Sequence, residues 1–305
     1  MKQDISVSLG RLKLKNPVMV ASGTFGYAEE FADFLDIKRL GAVVSKTVTI
    51  KPRQGNPAPR TCETPAGMLN SIGLENPGIE VFIEEKLPAL KKTGVPVIVS
   101  IASEKDPQEF VVLARRLDKL NAIAALELNI SCPNLKKNKL ISQDPQATYA
   151  LVKNVRKVCG KTLITKLSPN VADIAEIALA AEKAGSDCLA MINTLYGMSI
   201  DINKRRPKIA MGTGGLSGPA VKPVAVRMVR EVYKRVKIPI IGMGGITCAE
   251  DALEFIIAGA SAVSVGTANF VDPGVTIAII EGIRKYLGEN DIKDIKKLIG
   301  SLEGA

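Results

Sequence analysis

No histidine and no tryptophan occur anywhere in the 305 residues. Without histidine there is no Ser-His-Asp or Cys-His nucleophile pair, and no His-ligated zinc or haem. Proton transfer near neutral pH then falls to Cys, Lys, Tyr or a carboxylate. An enzyme of this composition either tunes an unusual base or takes its chemistry from a cofactor. The five cysteines, Cys62, Cys132, Cys159, Cys188 and Cys248, form no Cys-x-x-Cys pair and no ferredoxin spacing, so no known pattern holds an iron–sulfur cluster here. Their odd number, and the lack of an apolar stretch behind Met1-Lys2-Gln3-Asp4, lead us to expect free thiols, no leader and a reducing cytoplasm. No apolar run approaches the roughly 18 residues of a membrane span. Aromatics are only 4%, too sparse for the stacking platforms that bind single strands.

What is present is globular in composition, with 46% hydrophobic and 24% charged residues. The 41 basic residues exceed the 31 acidic ones, giving a net charge of +10. Many lysines lie along helical stretches such as 84–92 and 285–297, mixed with Glu and Asp, which reads as solvated helix faces and no nucleic-acid patch. A basic balance also suits an anionic substrate and a phosphorylated cofactor.

Eight short apolar, β-branched runs recur, at 17–22, 42–46, 95–101, 124–131, 162–168, 188–194, 238–244 and 262–267. They are nearly continuous, as parallel strands buried on both faces are. Amphipathic helical patterns lie between most of them, at 106–120, 145–158, 172–184, 219–236, 249–258 and 273–287. Pro107, Pro145, Pro219 and Pro273 stand near helix starts, and Gly185 and Gly259 follow helix ends. This alternation predicts a single domain over residues 1–305, a (β/α)₈ TIM barrel; a doubly wound open sheet is the alternative. Polar residues and glycines at the ends of the runs favour the barrel: Ser22, Lys46, Ser100, Asn129, Lys166, Asn193, Gly244 and Gly266. No Gly-x-Gly-x-x-Gly follows any run, which removes the dinucleotide fingerprint of the open sheet. Alternation from Ile5 to Leu14 about Gly10 predicts a hairpin closing the barrel bottom. The connections from Lys46 to Val95 and from Thr194 to Pro219 are long, and long loops on the catalytic face carry function.

Three groups of residues carry chemistry. Gly242-Met-Gly-Gly-Ile-Thr247 and Ser264-Val-Gly-Thr267 end the last two strands, where barrel loops supply backbone N–H groups to a phosphate. Glu127-Leu-Asn-Ile-Ser-Cys-Pro-Asn134 ends the fourth strand. Its Cys132 follows Asn129 in a loop and is the best base of a chain without histidine. Cys159, Cys188 and Cys248 read instead as small buried hydrophobes. Lys46 and Lys166 end apolar strands, where a lysine is costly unless it meets an anion. Asn70, Asn129 and Asn193 add amides suited to a planar heterocycle with alternating N–H and C=O groups.

Taken together, these residues resemble the class 1 dihydroorotate dehydrogenases. The resemblance covers nearly the whole chain. It is carried by Asn-Pro-Val-Met-Val-Ala-Ser-Gly (16–23), Ser-Lys-Thr-Val-Thr (45–49) and Met-Leu-Asn-Ser-Ile-Gly-Leu-Glu-Asn-Pro-Gly (68–78). It continues through Leu-Asn-Ile-Ser-Cys-Pro-Asn (128–134), Ile-Asn-Thr-Leu-Tyr-Gly-Met-Ser-Ile-Asp (192–201) and Thr-Gly-Gly-Leu-Ser-Gly-Pro-Ala-Val-Lys-Pro (213–223). The cysteine and the Asn-Thr-Leu-x-Gly-Met stretch are similar to the NAD-linked subclass, class 1B.

The resemblance implies oxidation of (S)-dihydroorotate to orotate in pyrimidine (UMP) synthesis, with FMN in the barrel mouth. Cys132 would take the C5 proton, and FMN N5 the hydride from C6. Ser22, Lys46, Thr47, Asn129, Lys166 and Ile192 would line the flavin. Gly218, Gly244, Gly245, Gly266 and Thr267 would complete its site, the last four around the phosphate. Ser100 stands where the family usually has Asn, and would reach the flavin through water. Substrate would meet Lys46, Asn70, Ser71, Ile72, Gly73, Leu74, Asn129, Asn193 and Thr194. No metal is expected. A partner subunit with FAD and a 2Fe–2S cluster would pass electrons to NAD⁺, around a homodimer core in a heterotetramer. Three rivals stand beside this reading: a fumarate-linked class 1A enzyme, an FMN-dependent tRNA dihydrouridine synthase, and a flavin-free phosphate-binding barrel. No membrane or nucleic-acid partner is expected.

Overall fold

The computed structural model describes residues 3–103, 106–131, 133–134 and 139–304. Cys132 lies outside the described residues. Eight parallel strands close into one barrel: β1 (Val18–Val20), β2 (Ala42–Val44), β3 (Val97–Ile101), β4 (Ala125–Asn129), β5 (Thr162–Lys166), β6 (Cys188–Met191), β7 (Ile240–Met243) and β8 (Ala262–Val265). Every residue of β3 and β5 is buried, because helices cover the outer face while side chains fill the inner one. The open-sheet alternative is excluded by the closure. The strands are shorter than the apolar runs, since the runs continue into the loops that form the mouth.

Register stacks the interior in layers. Ser100, Glu127, Ile164 and Cys188 align across β3 to β6, and Asn129, Lys166 and Ala190 align one layer nearer the mouth. The apolar sequence of the strands is thus broken at inward positions, where the barrel changes from packed core to binding surface.

Helices begin and end where local chemistry dictates. Asp144 accepts from the N–H groups of Gln146 and Ala147, at 2.9 and 3.2 Å, and starts Pro145–Arg156. Gly185, at φ 102°, ends Ile174–Ala184 in a conformation that costs other residues more. Pro88 cannot donate to the turn before it, and the helix over 78–92 widens into a π turn at Phe82–Lys86. Between β1 and β2 the crossover is made of short 3₁₀ turns, Glu29–Phe31 and Ile37–Arg39, with Phe25 stacked on Phe31 at 4.2 Å.

The expected helix over 285–297 is two elements: Val275–Glu289, then the 3₁₀ turn Ile295–Leu298. Asn290 caps the first, and Asp291, at φ 54°, turns the chain left-handed and breaks the run. The hairpin forms as Val7–Leu9 paired with Leu12–Leu14. Arg11 donates to the Gly160 carbonyl at 3.3 Å, just before β5, which places the hairpin at the barrel bottom.

The two long connections hold a structure the sequence did not announce. Leu195–Gly197, Gly214–Ser217, Gly67–Asn70 and Thr61–Thr64 pair, in that order, into an antiparallel four-stranded flap. Gly67 makes this possible, because a Cβ there would run into the Ser217 carbonyl.

Candidate active site at the barrel mouth

Strand ends and flap enclose a cavity of about 1110 Å³. Small-molecule sites run to about 1000 Å³, so there is room for a cofactor and a second ligand. Ser22, Lys46, Thr47, Asn129, Lys166, Ile192, Asn193 and Thr194 line it from the ends of β1, β2, β4, β5 and β6. Gly244, Gly245, Gly266 and Thr267 line it from β7 and β8, and Gly218 and 70–74 from the flap side. Ser100 does not reach it. It is fully buried in the layer beneath Asn129, with its hydroxyl 3.0 Å from that of Thr47.

Lys166 is 6% exposed, and its Nζ donates to Ser22 Oγ at 3.0 Å. β5 and β1 are four strands apart in a ring of eight, so the side chain crosses the mouth to the opposite wall. Among the described residues no carboxylate pairs with it. A buried ammonium with spare donors makes the floor of the cavity attractive to an electron-rich group. Lys46 sits at the side, its Nζ 3.6 Å from Glu75 Oε2, which also takes a bond from Arg60 Nη2 at 2.8 Å.

The amides are ordered by one another. Asn193 Nδ2 donates to Ser131 Oγ at 3.0 Å and lies 3.4 Å from Asn129 Oδ1, while its own Oδ1 accepts from the Thr194 N–H at 2.8 Å. The residue before Cys132 is therefore anchored to β6. Asn70 donates to the Gly215 carbonyl within the flap at 3.3 Å. Asn76, buried, holds the loop from both sides: its Oδ1 accepts from Thr49 N–H at 3.1 Å and Gly78 N–H at 2.9 Å, and its Nδ2 donates to the Leu74 carbonyl at 2.7 Å.

At the phosphate-type loops, Gly244 and Gly245 have φ of 125° and 77°, and a Cβ on Gly245 would lie 2.8 Å from the Gly218 carbonyl. Gly266 is different: a Cβ there would have only Ala21 and Thr24 side chains near it, at 3.7 and 4.0 Å, so it would project into the cavity. Asp251 ties this region down, accepting from the Thr247 N–H at 2.8 Å, the Thr247 hydroxyl at 2.7 Å and Lys222 Nζ at 2.6 Å. Burial pushes its pKa up, but the bonds from Lys222 and Thr247 prevail and bring it from 3.8 down to about 2.

Thr64, Ser71 and Ser264 are among the lining residues, and their hydroxyl oxygens are buried and without a partner among the described residues. Unsatisfied donors, a glycine cradle and a buried ammonium fit a phosphorylated, planar group. Of the other cysteines, Cys159 and Cys188 are buried as expected. Burial pushes Cys159 up to about 11 and Cys188 well above its ordinary value. Cys248 departs from expectation: it is exposed, because it stands at the N-cap of Ala249–Ala258 rather than on a packed face.

Arg60, Glu75, Thr64, Ser217 and Asp251 complete the surroundings without having been singled out from sequence. Glu75 and Asn76 lie inside the 68–78 motif, which was their signal; Arg60 had none. Among the described residues, no group of three or more Cys, Asp or Glu could hold a metal ion, and no helix is long and apolar enough to cross a membrane.

The dihydroorotate dehydrogenase family model matches residues 4–287. A protein of Geotalea uraniireducens is 55% identical over 302 residues, 99% of each chain. One of Trichlorobacter lovleyi is 54% identical over 305 residues, the whole of both chains. One of Thermoanaerobacter pseudethanolicus is 52% identical over 301 residues, 98% of this chain and 99% of its own. Each of the three bears the name dihydroorotate dehydrogenase B (NAD(+)), catalytic subunit.

Proposed function

The chain belongs to the dihydroorotate dehydrogenase family, and from that premise we propose that it oxidises (S)-dihydroorotate to orotate, in UMP synthesis, as the FMN-bearing catalytic subunit of an NAD⁺-linked enzyme. The observation that carries this reading is Lys166, a buried ammonium laid across the floor of a cavity that the Gly244–Gly245 and Gly266–Thr267 loops also line.

FMN, when bound, supplies the two-electron acceptor that no side chain can replace. Ser22, Lys46, Thr47, Asn129, Lys166, Ile192 and Gly218 would hold it, with Gly244, Gly245, Gly266 and Thr267 around its phosphate and Ser100 acting through Thr47. Lys166 favours extra negative charge on its ligand. Asn70 to Leu74, Asn129, Asn193 and Thr194 orient the substrate beneath the flap and exclude water. Lys46 offsets charge on the substrate's carbonyls. Cys132 takes the C5 proton, and the Ser131–Asn193 bond steadies the strand end from which it is presented.

The resemblance to class 1B implies that electrons leave through a partner subunit carrying FAD and a 2Fe–2S cluster, which is consistent with the lack of a dinucleotide fingerprint and cluster spacing in this chain. Two of each subunit would form a heterotetramer on a homodimer core, in the cytoplasm, with residues 1–305 as one domain. The test is an absorbance spectrum of the purified chain before and after dihydroorotate. Flavin bands that bleach on addition support the reading; a colourless protein that takes up no FMN overturns it. NAD⁺ reduction by the chain alone would refute the need for a partner, and fumarate reduction would favour the class 1A alternative.

A further inference from the structure

Beside the cavity lies a charge cluster of which the mechanism above uses only Lys46. Glu75 Oε2 lies 2.8 Å from Arg60 Nη2 and 3.6 Å from Lys46 Nζ. One carboxylate oxygen serves two cations, one by a hydrogen bond and one at ion-pair distance. The formal charge of the three side chains is one unit positive. Two of them are fixed. Glu75 stands between Leu74, whose carbonyl Asn76 Nδ2 holds at 2.7 Å, and Asn76, whose backbone pairs with Arg53 at 2.9 and 3.1 Å. The Arg60 carbonyl accepts from the Ser71 N–H at 2.8 Å, and its guanidinium also reaches the Gln54 and Asn56 carbonyls at 3.4 and 3.5 Å. Lys46, on the longer contact and facing the cavity, is the member free to change partners.

We propose that Glu75 is a positioning residue for Lys46 and sets the preference of the site for anionic over neutral pyrimidines. The proposal rests on the substrate reading given above. Glu75 draws the Lys46 ammonium toward its own carboxylate and cancels one of two positive charges. An entering carboxylate-bearing ligand takes Lys46 in exchange, and Arg60 keeps Glu75 neutralised as Lys46 leaves. Affinity for the anion is thereby held below what two free cations would give, which lets the anionic product depart. Side-chain exposures of 27%, 31% and 39% for Lys46, Arg60 and Glu75 leave these interactions screened but present.

The experiment is calorimetric titration of the FMN-loaded chain with orotate, an anion, and with uracil, the same ring without the carboxylate. In Glu75→Gln, orotate should bind about tenfold tighter and uracil unchanged, as removing one unit charge several ångströms away requires. KM for dihydroorotate should fall, and kcat with it, because Lys46 loses its seat. Arg60→Gln should move orotate the other way by a similar factor, and Glu75→Asp should stay near wild type. Unchanged or weaker orotate binding in Glu75→Gln, or an equal change for uracil, overturns the proposal. Should Glu75→Gln fail to fold, the sign in Arg60→Gln decides, and tighter orotate binding there overturns it. Failure of the wild-type chain to bind orotate at all would instead refute the substrate reading.

Discussion

Lys166 meets Ser22 at 3.0 Å across the full width of the barrel mouth, from β5 to the end of β1. The contact closes the packed interior beneath and presents a positive charge above. A neutral hydroxyl is a poor match for a buried ammonium, so the arrangement is costly until a negatively charged group arrives. Lys166→Met should therefore raise the melting temperature of the apoprotein or leave it unchanged, while weakening FMN binding about 10- to 100-fold, the worth of a lost charge-assisted hydrogen bond. Fluorescence titration of FMN with thermal melts of the apoprotein reads both effects. Destabilised apoprotein with intact FMN affinity would make Lys166 a structural residue.

Gly245 and Gly266 separate two reasons for a glycine. Gly245, at φ 77° and with a would-be Cβ 2.8 Å from the Gly218 carbonyl, is required by the backbone. Gly245→Ala should destabilise the fold by about 1–3 kcal/mol, measured by denaturant unfolding of the apoprotein. A Cβ on Gly266 would make only ordinary contacts with Ala21 and Thr24, and Gly266 lines the cavity. Gly266→Val should fold with near-normal stability yet lose FMN, measured as retained flavin per chain. Equal flavin content in wild type and Gly266→Val would place the phosphate elsewhere.

The barrel was legible in the sequence because both-face burial leaves continuous β-branched runs, which polar residues such as Asn129 and Lys166 interrupt toward the mouth, with Ser100 and Glu127 one layer beneath. The flap was not legible. Its strands, for example Thr61–Thr64 with alternating exposure, are short, and its central pairing, Gly67–Asn70 with Gly214–Ser217, spans about 150 residues of chain; no local periodicity encodes that partner. Glu75 illustrates the same limit within the site. Its place in the 68–78 motif marked it, but its role depends on Lys46 and Arg60, which only the folded loop brings to one oxygen. Ser100 shows the converse: its strand-end position was plain, but the Thr47 hydroxyl stands between it and the cavity.

Cys132→Ala should leave the protein yellow but slow flavin reduction by dihydroorotate about 10²- to 10⁴-fold, the usual span for a lost general base. The thiolate is the active form, so the chemical step in wild type should accelerate as pH rises from 6 toward about 8.5, the ordinary thiol value. A flat profile would point to another base. Iodoacetamide at pH 8 should modify Cys132 and be blocked by orotate, whereas Cys159 and Cys188, buried and with their thiols held protonated, should remain unmodified. Peptide mass mapping after brief labelling distinguishes the sites.

Asp251 gives the loop after β7 an acid-sensitive anchor. Its carboxyl is lowered from 3.8 to about 2 in the fold, chiefly by Lys222 and Thr247 working against burial. A lowered folded value means that the ionised form is preferred by the native state. The contribution is therefore complete above about pH 5 and falls away as pH drops through 4 toward 2. Its size follows from the difference between the two values, about 2 kcal/mol. Asp251→Asn should lose that increment at neutral pH, and its stability should converge with that of wild type near pH 2. Because Thr247 lines the cavity, the same variant should release FMN more readily at pH 7, as the Gly244–Thr247 loop loses the carboxylate that holds it. Denaturant unfolding at stepped pH measures the first effect and flavin retention on dialysis the second. Parallel stability curves for the two proteins from pH 7 to pH 2 would show that Asp251 does not act through its charge.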